Sequence, residues 1–132
     1  FYLGADIGLG HFMKLIHNQL SGAVFMATCE AVFLGKAFGM DPRVMIDVFN
    51  EGNARSNATE SKFPRFVLGG TPAGCSVGIL EKDMALVLRK AGEKHFALPI
   101  TQATYDYWNG PCKRGNPNLD YADMLEFMRT MV

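Results

Sequence analysis

The chain has 132 residues, enough for one domain, and 48% of them are hydrophobic, enough to build a core. Thirteen basic residues balance thirteen acidic ones, so net charge gives no case for a nucleic-acid partner or an anionic membrane surface. Cys29, Cys75 and Cys112 form no CxxC pair, which argues against a disulfide framework or a metal site and favours a reducing, cytoplasmic setting.

The first predicted element is one long helix. Apolar residues recur every three or four positions from Leu9 to Phe38, and Gly39 follows as a plausible stop. A second apolar set lies on other sides of this helix, which predicts that the rest of the chain wraps around it. The apolar stretch 23–34 contains Glu30 and is too short to span a bilayer, so we expect no membrane partner.

Further helices are predicted where a capping residue or proline starts a segment and glycine or proline ends it. Their predicted starts are Asp41, Ser56 or Asn57, Ser76, Pro99 and Asp120. Their predicted ends are Gly52, a point before Pro64, the region of Ala91, the breakers Gly110-Pro111 and Gly115-Asn116-Pro117, and Val132. Since no useful alternating run appears, the predicted fold class is all-α, with about six helices around the long one in a single domain, residues 1–132.

A narrow polar strip interrupts the apolar surface of the long helix. His11, Lys14, Asn18 and Ser21 follow one another at steps of three, four and three residues, which places them on one helix face. Burying an unpaired ammonium is costly, so this face must meet water, a partner or a ligand cavity. On spacing alone, a solvated face explains the strip as well as a functional site does.

Two further pairs are candidates for function. Gly8 and Gly10 do not complete a dinucleotide fingerprint, because Met13 stands at the third glycine position and no strand-helix-strand unit surrounds them. They indicate either that another structural unit approaches the helix backbone closely or that this segment is a flexible hinge. Lys82 and Asp83 point roughly 100° apart on their predicted helix, and a solvated face also explains them.

Together these residues resemble a known family. Residues 8–18 read Gly-Leu-Gly-His-Phe-Met-Lys-Leu-Ile-His-Asn and resemble the G-x-G-x-x-x-K-x-x-x-N motif of the β-hydroxyacid dehydrogenases. This group includes 3-hydroxyisobutyrate dehydrogenase, tartronate semialdehyde reductase and, more distantly, 6-phosphogluconate dehydrogenase. Residues 80–84, Leu-Glu-Lys-Asp-Met, resemble the family's later L-x-K-D segment, and the resemblance covers essentially the whole chain. The chain has Cys75 where the family usually has phenylalanine.

The resemblance implies a two-domain enzyme, in which a Rossmann domain binds NAD or NADP and the active site lies between it and an all-helical domain. Lys14 is then the general acid/base that handles the proton of the substrate hydroxyl, and Asn18 orients the substrate and the lysine. The other implied site residues are Lys82 and Asp83 on the cofactor side, and Gly8 and Gly10 facing the cleft.

We therefore expect the helical domain of an NAD(P)-dependent dehydrogenase that acts on a small 3-hydroxy acid, inactive without its Rossmann domain in cis or in trans. Residues 1–4 resemble the end of a β-strand with no partner, so the chain is expected to begin at a domain boundary. The alternative is a non-catalytic helical interaction module descended from such an enzyme. Helical domains of this family also make subunit contacts, so a homodimer is expected.

Overall fold

The chain forms five α-helices, one π-helix and a short 3₁₀ turn in the computed structural model, which describes residues 1–131. In order these are α1 (Leu9–Ala37), α2 (Pro42–Glu51), the π-helix (Ala58–Val67), α3 (Val77–Glu93), α4 (Pro99–Lys113), the 3₁₀ turn (Tyr121–Asp123) and α5 (Met124–Met128). No strand forms within that range, where Ser76 and Asp120 make an isolated bridge. The predicted all-α class is confirmed.

Helix α1 contacts every other helix, and its second half supplies much of the core. Phe25, Met26, Cys29 and Val32 are almost completely buried there. The first third of α1 differs from the prediction, because its apolar side chains remain 37–61% exposed in the described chain. These side chains are Leu9, Phe12, Met13, Ile16 and Leu20. At 1.5 Å per residue α1 is ~44 Å long, whereas α3 is ~25 Å and α4 ~22 Å long, so neither covers the whole length of α1.

The length of α1 corrects the prediction about membrane spans. The helix has 29 residues and is long and apolar enough to cross a membrane by length and composition. Core helices of soluble proteins and signal sequences meet the same criteria. In this structure the second half of α1 packs against the other helices of the chain.

The segment predicted to end before Pro64 instead continues through it as a π-helix. Its hydrogen bonds reach five residues back, as from the Leu68 N–H to the Phe63 carbonyl at 2.8 Å. Pro64 has no N–H for the matching carbonyl of Thr59, and the Asn50 side-chain amide of α2 donates to that carbonyl at 3.2 Å instead. Proline therefore leaves no unsatisfied acceptor at Thr59, and the helix runs on to Val67.

The N-terminus of the π-helix resolves the predicted choice of cap. The Ser56 hydroxyl accepts from the Thr59 N–H at 3.4 Å, and the Thr59 hydroxyl accepts from the Ser56 N–H at 3.0 Å. Asn57 makes no capping side-chain hydrogen bond. Ser56 therefore caps this helix, by the reciprocal pairing of a capping box.

Helix α3 begins where predicted but is not capped by the Ser76 side chain. Its first two N–H groups donate to loop carbonyls, from Val77 to Leu119 and from Gly78 to Pro117, both at 2.8 Å. A Cβ at Gly78 would lie 3.0 Å from that Pro117 carbonyl oxygen, so the close approach requires glycine. The returning loop thus supplies the acceptors that a capping residue usually provides.

Helix α4 does not break at Gly110-Pro111 as predicted but continues to Lys113. Pro111 is buried, and its missing N–H removes only one hydrogen bond close to the helix end. The helix stops where Gly115 adopts a φ of +78° and the Asn116 N–H donates to the Pro111 carbonyl at 3.0 Å. This is the glycine-based termination that the second predicted breaker, Gly115-Asn116-Pro117, indicated.

The last predicted helix, residues 120–132, is instead the 3₁₀ turn followed by the short α5. Val132 lies outside the described residues. The apolar side chains of this segment are buried at Tyr121, Met124, Leu125 and Met128, while Met131 is exposed.

An aromatic cluster joins four elements at the centre of the fold. Phe25 of α1 lies 5.4 Å from Phe63 of the π-helix, 6.0 Å from Trp108 of α4 and 5.0 Å from Tyr121, measured between ring centroids. Phe63 and Trp108 are completely buried. Rings at these separations contribute both buried apolar area and favourable ring–ring geometry, so the cluster fixes the π-helix against α1.

The apolar side chains of α2 are only partly buried. Val44 and Val48 are 59% and 63% exposed, and Ile46 is the buried residue of this helix. Met45 and Phe49 pack against the core from partly buried positions. The capping prediction is confirmed, since the Asp41 carboxylate accepts from the Arg43 N–H at 2.7 Å.

Candidate active site

Three of the predicted site residues meet at one oxygen atom. The Lys14 ammonium lies 2.6 Å from Asp83 Oδ2, and the Asn18 side-chain amide donates to the same oxygen at 2.8 Å. Lys14 and Asn18 lie one turn apart on α1, and Asp83 lies in the second turn of α3. The packing of α1 against α3 therefore brings a carboxylate from more than 60 residues away in sequence to the lysine and the amide of α1.

Burial differs sharply between the two charges of this group. The Asp83 side chain is 5% exposed, whereas the Lys14 side chain is 58% exposed. Burial raises the pKa of Asp83, but the hydrogen bonds from Lys14 and Asn18 outweigh it and hold the pKa of this carboxyl below its usual value. Asp83 is therefore anionic at neutral pH and anchors the lysine, whose other side remains open.

The other predicted positions make no hydrogen bond to this group in the described part of the chain, although the charge of Lys82 helps to lower the pKa of Asp83. Lys82 is exposed, and its side chain makes no hydrogen bond or ion pair within residues 1–131. The Gly8 N–H donates to the Asp6 carboxylate at 2.9 Å. A Cβ added at Gly10 would meet no described atom within 4 Å, so nothing in this part of the chain approaches it closely. The roles predicted for Lys82, Gly8 and Gly10 remain predictions.

Lys62 is a candidate residue that the sequence interpretation missed. Its ammonium donates to the Ser21 hydroxyl at 2.8 Å, and it lies 5.9 Å and 5.5 Å from the ring centroids of Phe25 and Tyr121. Burial is the main influence on this side chain and lowers the pKa of Lys62. The sequence has no helical repeat that places Lys62 opposite Ser21, because this contact depends on the π-helix.

A cavity of about 310 Å³ adjoins the Asp83 group, and Asn18 lies in its wall. Its wall is formed by His17, Asn18, Ser21, Gly22, Phe25, Asn57, Lys62, Cys75, Ile79, Leu80, Trp108 and Tyr121. Among the residues that the structure describes, no aspartate or glutamate lines this wall. The buried indole N–H of Trp108 has no acceptor among the described residues. The cavity is therefore rich in hydrogen-bond donors and suits a small polar ligand with acceptor oxygens.

The arrangement is suited to proton transfer. A lysine amine accepts a proton and its ammonium donates one, and here Asp83 holds the ammonium next to Asn18, which lies in the cavity wall. No group of three or more His, Cys, Asp or Glu side chains that could hold a metal ion occurs within the described residues.

Residues 8–128 match the family model described as "NAD-binding of NADP-dependent 3-hydroxyisobutyrate dehydrogenase". The chain belongs to this family. It is 28% identical over 131 residues to 2-(hydroxymethyl)glutarate dehydrogenase from Eubacterium barkeri, an alignment that covers 98% of the chain and 44% of the relative. It is 32% identical over 126 residues to L-threonate dehydrogenase from Cupriavidus necator, with coverage of 96% and 42%.

A solved structure confirms the fold. The chain is similar to 3-hydroxyisobutyrate dehydrogenase from Salmonella typhimurium, with a TM-score of 0.82 and 27% sequence identity. The match covers 91% of this chain and 42% of that one. The chain therefore spans less than half the length of the dehydrogenases that it matches, and the resemblance noted from its motifs is confirmed.

Proposed function

We propose that this chain is the helical catalytic domain of an NAD(P)-dependent dehydrogenase of small hydroxy acids, with Lys14 as the group that transfers the hydroxyl proton. The main support is the geometry: Lys14 and Asn18 bind the same oxygen of buried Asp83, beside a donor-rich cavity. The names of two relatives support the proposed substrate class, since 2-(hydroxymethyl)glutarate and L-threonate are both hydroxy acids.

The proton-transfer step of the proposed reaction follows from the arrangement of Lys14, Asn18 and Asp83. When the alcohol is oxidised, the neutral Lys14 amine accepts the hydroxyl proton; when the carbonyl compound is reduced, the ammonium returns it. Asp83 is a positioning residue, because its oxygen holds both the Lys14 side chain and the Asn18 amide. General acid–base catalysis of this kind contributes about 10²- to 10⁴-fold to a rate.

The described residues do not by themselves fit a whole nicotinamide dinucleotide. Gly8, Gly10 and Lys82 are exposed, and none of them is in the wall of the 310 Å³ cavity. We therefore assign most of the binding of NAD or NADP to a Rossmann domain, in cis or in trans, so that the isolated chain is inactive. The predicted contacts of Lys82 and Asp83 with the cofactor belong to that assembled enzyme.

The role of Lys14 is tested by placing the Rossmann domain of the Cupriavidus L-threonate dehydrogenase in front of this chain. Activity is followed by the absorbance of the reduced nicotinamide. We expect Lys14→Met to lower kcat by about 10²- to 10⁴-fold, because the proton-transferring group is lost. Lys36→Met is the matched control, since Lys36 is an exposed lysine near the other end of α1. Full activity of Lys14→Met, or an inactive fusion that folds and binds cofactor, would contradict the proposal.

A homodimer is part of the proposed assembly. Large apolar side chains are exposed at both ends of α1 and on α2, including Ile16, Leu20, Phe38 and Val48. Exposed apolar areas of this kind usually mark interaction surfaces, which also supports the second candidate, a non-catalytic interaction module. Sedimentation of the purified chain tests the dimer, and a strictly monomeric species at high concentration would contradict it.

The proposed location is the cytoplasm. Cys29, Cys75 and Cys112 are all free thiols, and Cys29 is buried. Free cysteines are typical of reducing compartments. Microscopy of a fluorescently tagged full-length protein tests this location, and export of the protein would contradict it.

A further inference from the structure

Lys62 lies in the cavity wall, and no carboxylate of the described residues forms an ion pair with it. Within residues 1–131 its ammonium makes one hydrogen bond, to the Ser21 hydroxyl at 2.8 Å, and no ion pair. An ammonium has three donors, so two remain free for another partner. Because a half-buried cation is costly without a counter-ion, the position favours a ligand that brings a negative charge.

The surroundings of Lys62 hold its ammonium in one place. The rings of Phe25 and Tyr121 lie within 6 Å of it, at the distance of cation–π contacts. Both rings belong to the buried aromatic cluster, so they are fixed by the core. Burial also lowers the pKa of Lys62, and the Cys75 thiol beside it opposes that effect. Binding of an anion would relieve this destabilisation of the charged form.

Lys62 and the Lys14 group contact positions of α1 that lie less than one helical turn apart. Lys14 and Asn18 share one oxygen of Asp83, so the Lys14 ammonium lies close to Asn18. Ser21, which accepts from Lys62, lies three residues further along α1, a rise of ~4.5 Å. Asn18 and Lys62 also line the same cavity, so one small ligand there can contact both side chains.

We propose that Lys62 and Ser21 form the subsite that binds the substrate's carboxylate and thereby select acids over neutral alcohols. Lys62 donates two of its N–H groups to the carboxylate, and Ser21, which accepts the third, donates its own O–H. This inference rests on the proposed function, because it places the substrate hydroxyl at Lys14. A purely structural role, in which Lys62 only fixes the π-helix to α1, is the outcome that would overturn it.

The test is the binding of two probes to the purified chain, followed by NMR chemical-shift titration. The probes are 3-hydroxypropanoate and 3-hydroxypropanamide, which have nearly the same shape and differ in charge. We expect the wild-type chain to bind the acid more tightly than the amide. Lys62→Met should weaken binding of the acid by about 10- to 100-fold and leave binding of the amide unchanged, since a charge-assisted hydrogen bond is lost.

Two further variants complete the design. Lys62→Arg keeps the positive charge and should bind the acid within about threefold of the wild type. Arg65→Met is the matched control, because Arg65 is an exposed cation of the same π-helix and is not in the cavity wall. It should bind the acid as the wild type does.

The outcomes separate this subsite from the proposed function. Equal affinity of wild type and Lys62→Met for the acid, or a wild type that binds no acid or does not distinguish it from the amide, overturns the subsite. None of these measurements needs hydride transfer, so the activity test on Lys14 stands independently. If Lys62→Met does not fold, the affinities of the wild type and of Lys62→Arg for the acid and the amide decide whether the subsite exists.

Discussion

Replacing Asp83 by asparagine removes one negative charge and almost no volume from the contact between α1 and α3. The buried oxygen of Asp83 accepts from Lys14 at 2.6 Å and from Asn18 at 2.8 Å. Because Lys14 is 58% exposed, its ion pair contributes little, and most of the loss comes from the charge-assisted bond to Asn18. We expect Asp83→Asn to lower the free energy of unfolding by about 1–2 kcal/mol at neutral pH.

The assay is urea unfolding followed by far-UV circular dichroism. Asp47→Asn is the matched control, since Asp47 is an exposed carboxylate of α2, and its effect should stay within about 0.5 kcal/mol. A double-mutant cycle then isolates the pair. Lys14→Met should cost less stability in the Asp83→Asn background than in the wild type, because the partner of the lysine is already gone.

The pH dependence gives a second, independent check. The folded pKa of Asp83 lies below its unfolded value of 3.8, so the stabilisation is fully present above that value and is lost as the pH falls through the folded pKa. The difference between wild type and Asp83→Asn should therefore shrink in acid. Equal stability at neutral pH, or a difference that does not change with pH, would refute the reasoning.

Two other predictions concern packing and titration. Gly22→Ala should lower the free energy of unfolding by about 1 kcal/mol, because the new Cβ would lie 2.6 Å from Met84 Cε, while Gly10→Ala, with open space around it, should not lower it. Urea unfolding of both variants checks this. The hydrogen bond to Glu30, with burial, raises the pKa of Tyr107 to about 12. The stabilisation of the folded state by this hydrogen bond should be present below the ordinary tyrosine pKa of 10.0. It should be lost as the pH rises towards about 12. Ultraviolet titration of wild type and Glu30→Gln tests it, and identical phenolate curves would contradict it.

Periodicity and breakers predicted much of the fold, because helix patterns and ends are local features. The start of α2 at Asp41-Pro42 and the end of α1 before Gly39 depend on a few neighbouring residues. The polar strip was also predictable, since Lys14 and Asn18 are four residues apart on one helix. The exposure of the first third of α1 was not predictable, because it depends on how far α3 and α4 reach along it.

The two features that the sequence could not predict are both tertiary. Asp83 was assigned to the cofactor side, yet its observed partners are Lys14 and Asn18, and only the packing of α3 on α1 shows them. Lys62 reaches the cavity from a π-helix that continues through Pro64, where an amide from Asn50 of another helix donates to the Thr59 carbonyl. The rule that proline ends helices considers only neighbouring residues, so it does not predict a hydrogen bond from the distant Asn50.

The π-helix makes the cavity sensitive to changes in chain length. A one-residue deletion between Ala58 and Lys62 would favour an α-helical turn and rotate the following side chains by roughly 100° relative to the preceding ones. Such a deletion would turn either Phe63 out of the aromatic cluster or Lys62 out of the cavity wall. Gene variants that differ by a single codon in this segment would therefore be expected to differ in the charge of the cavity while retaining the same helices elsewhere.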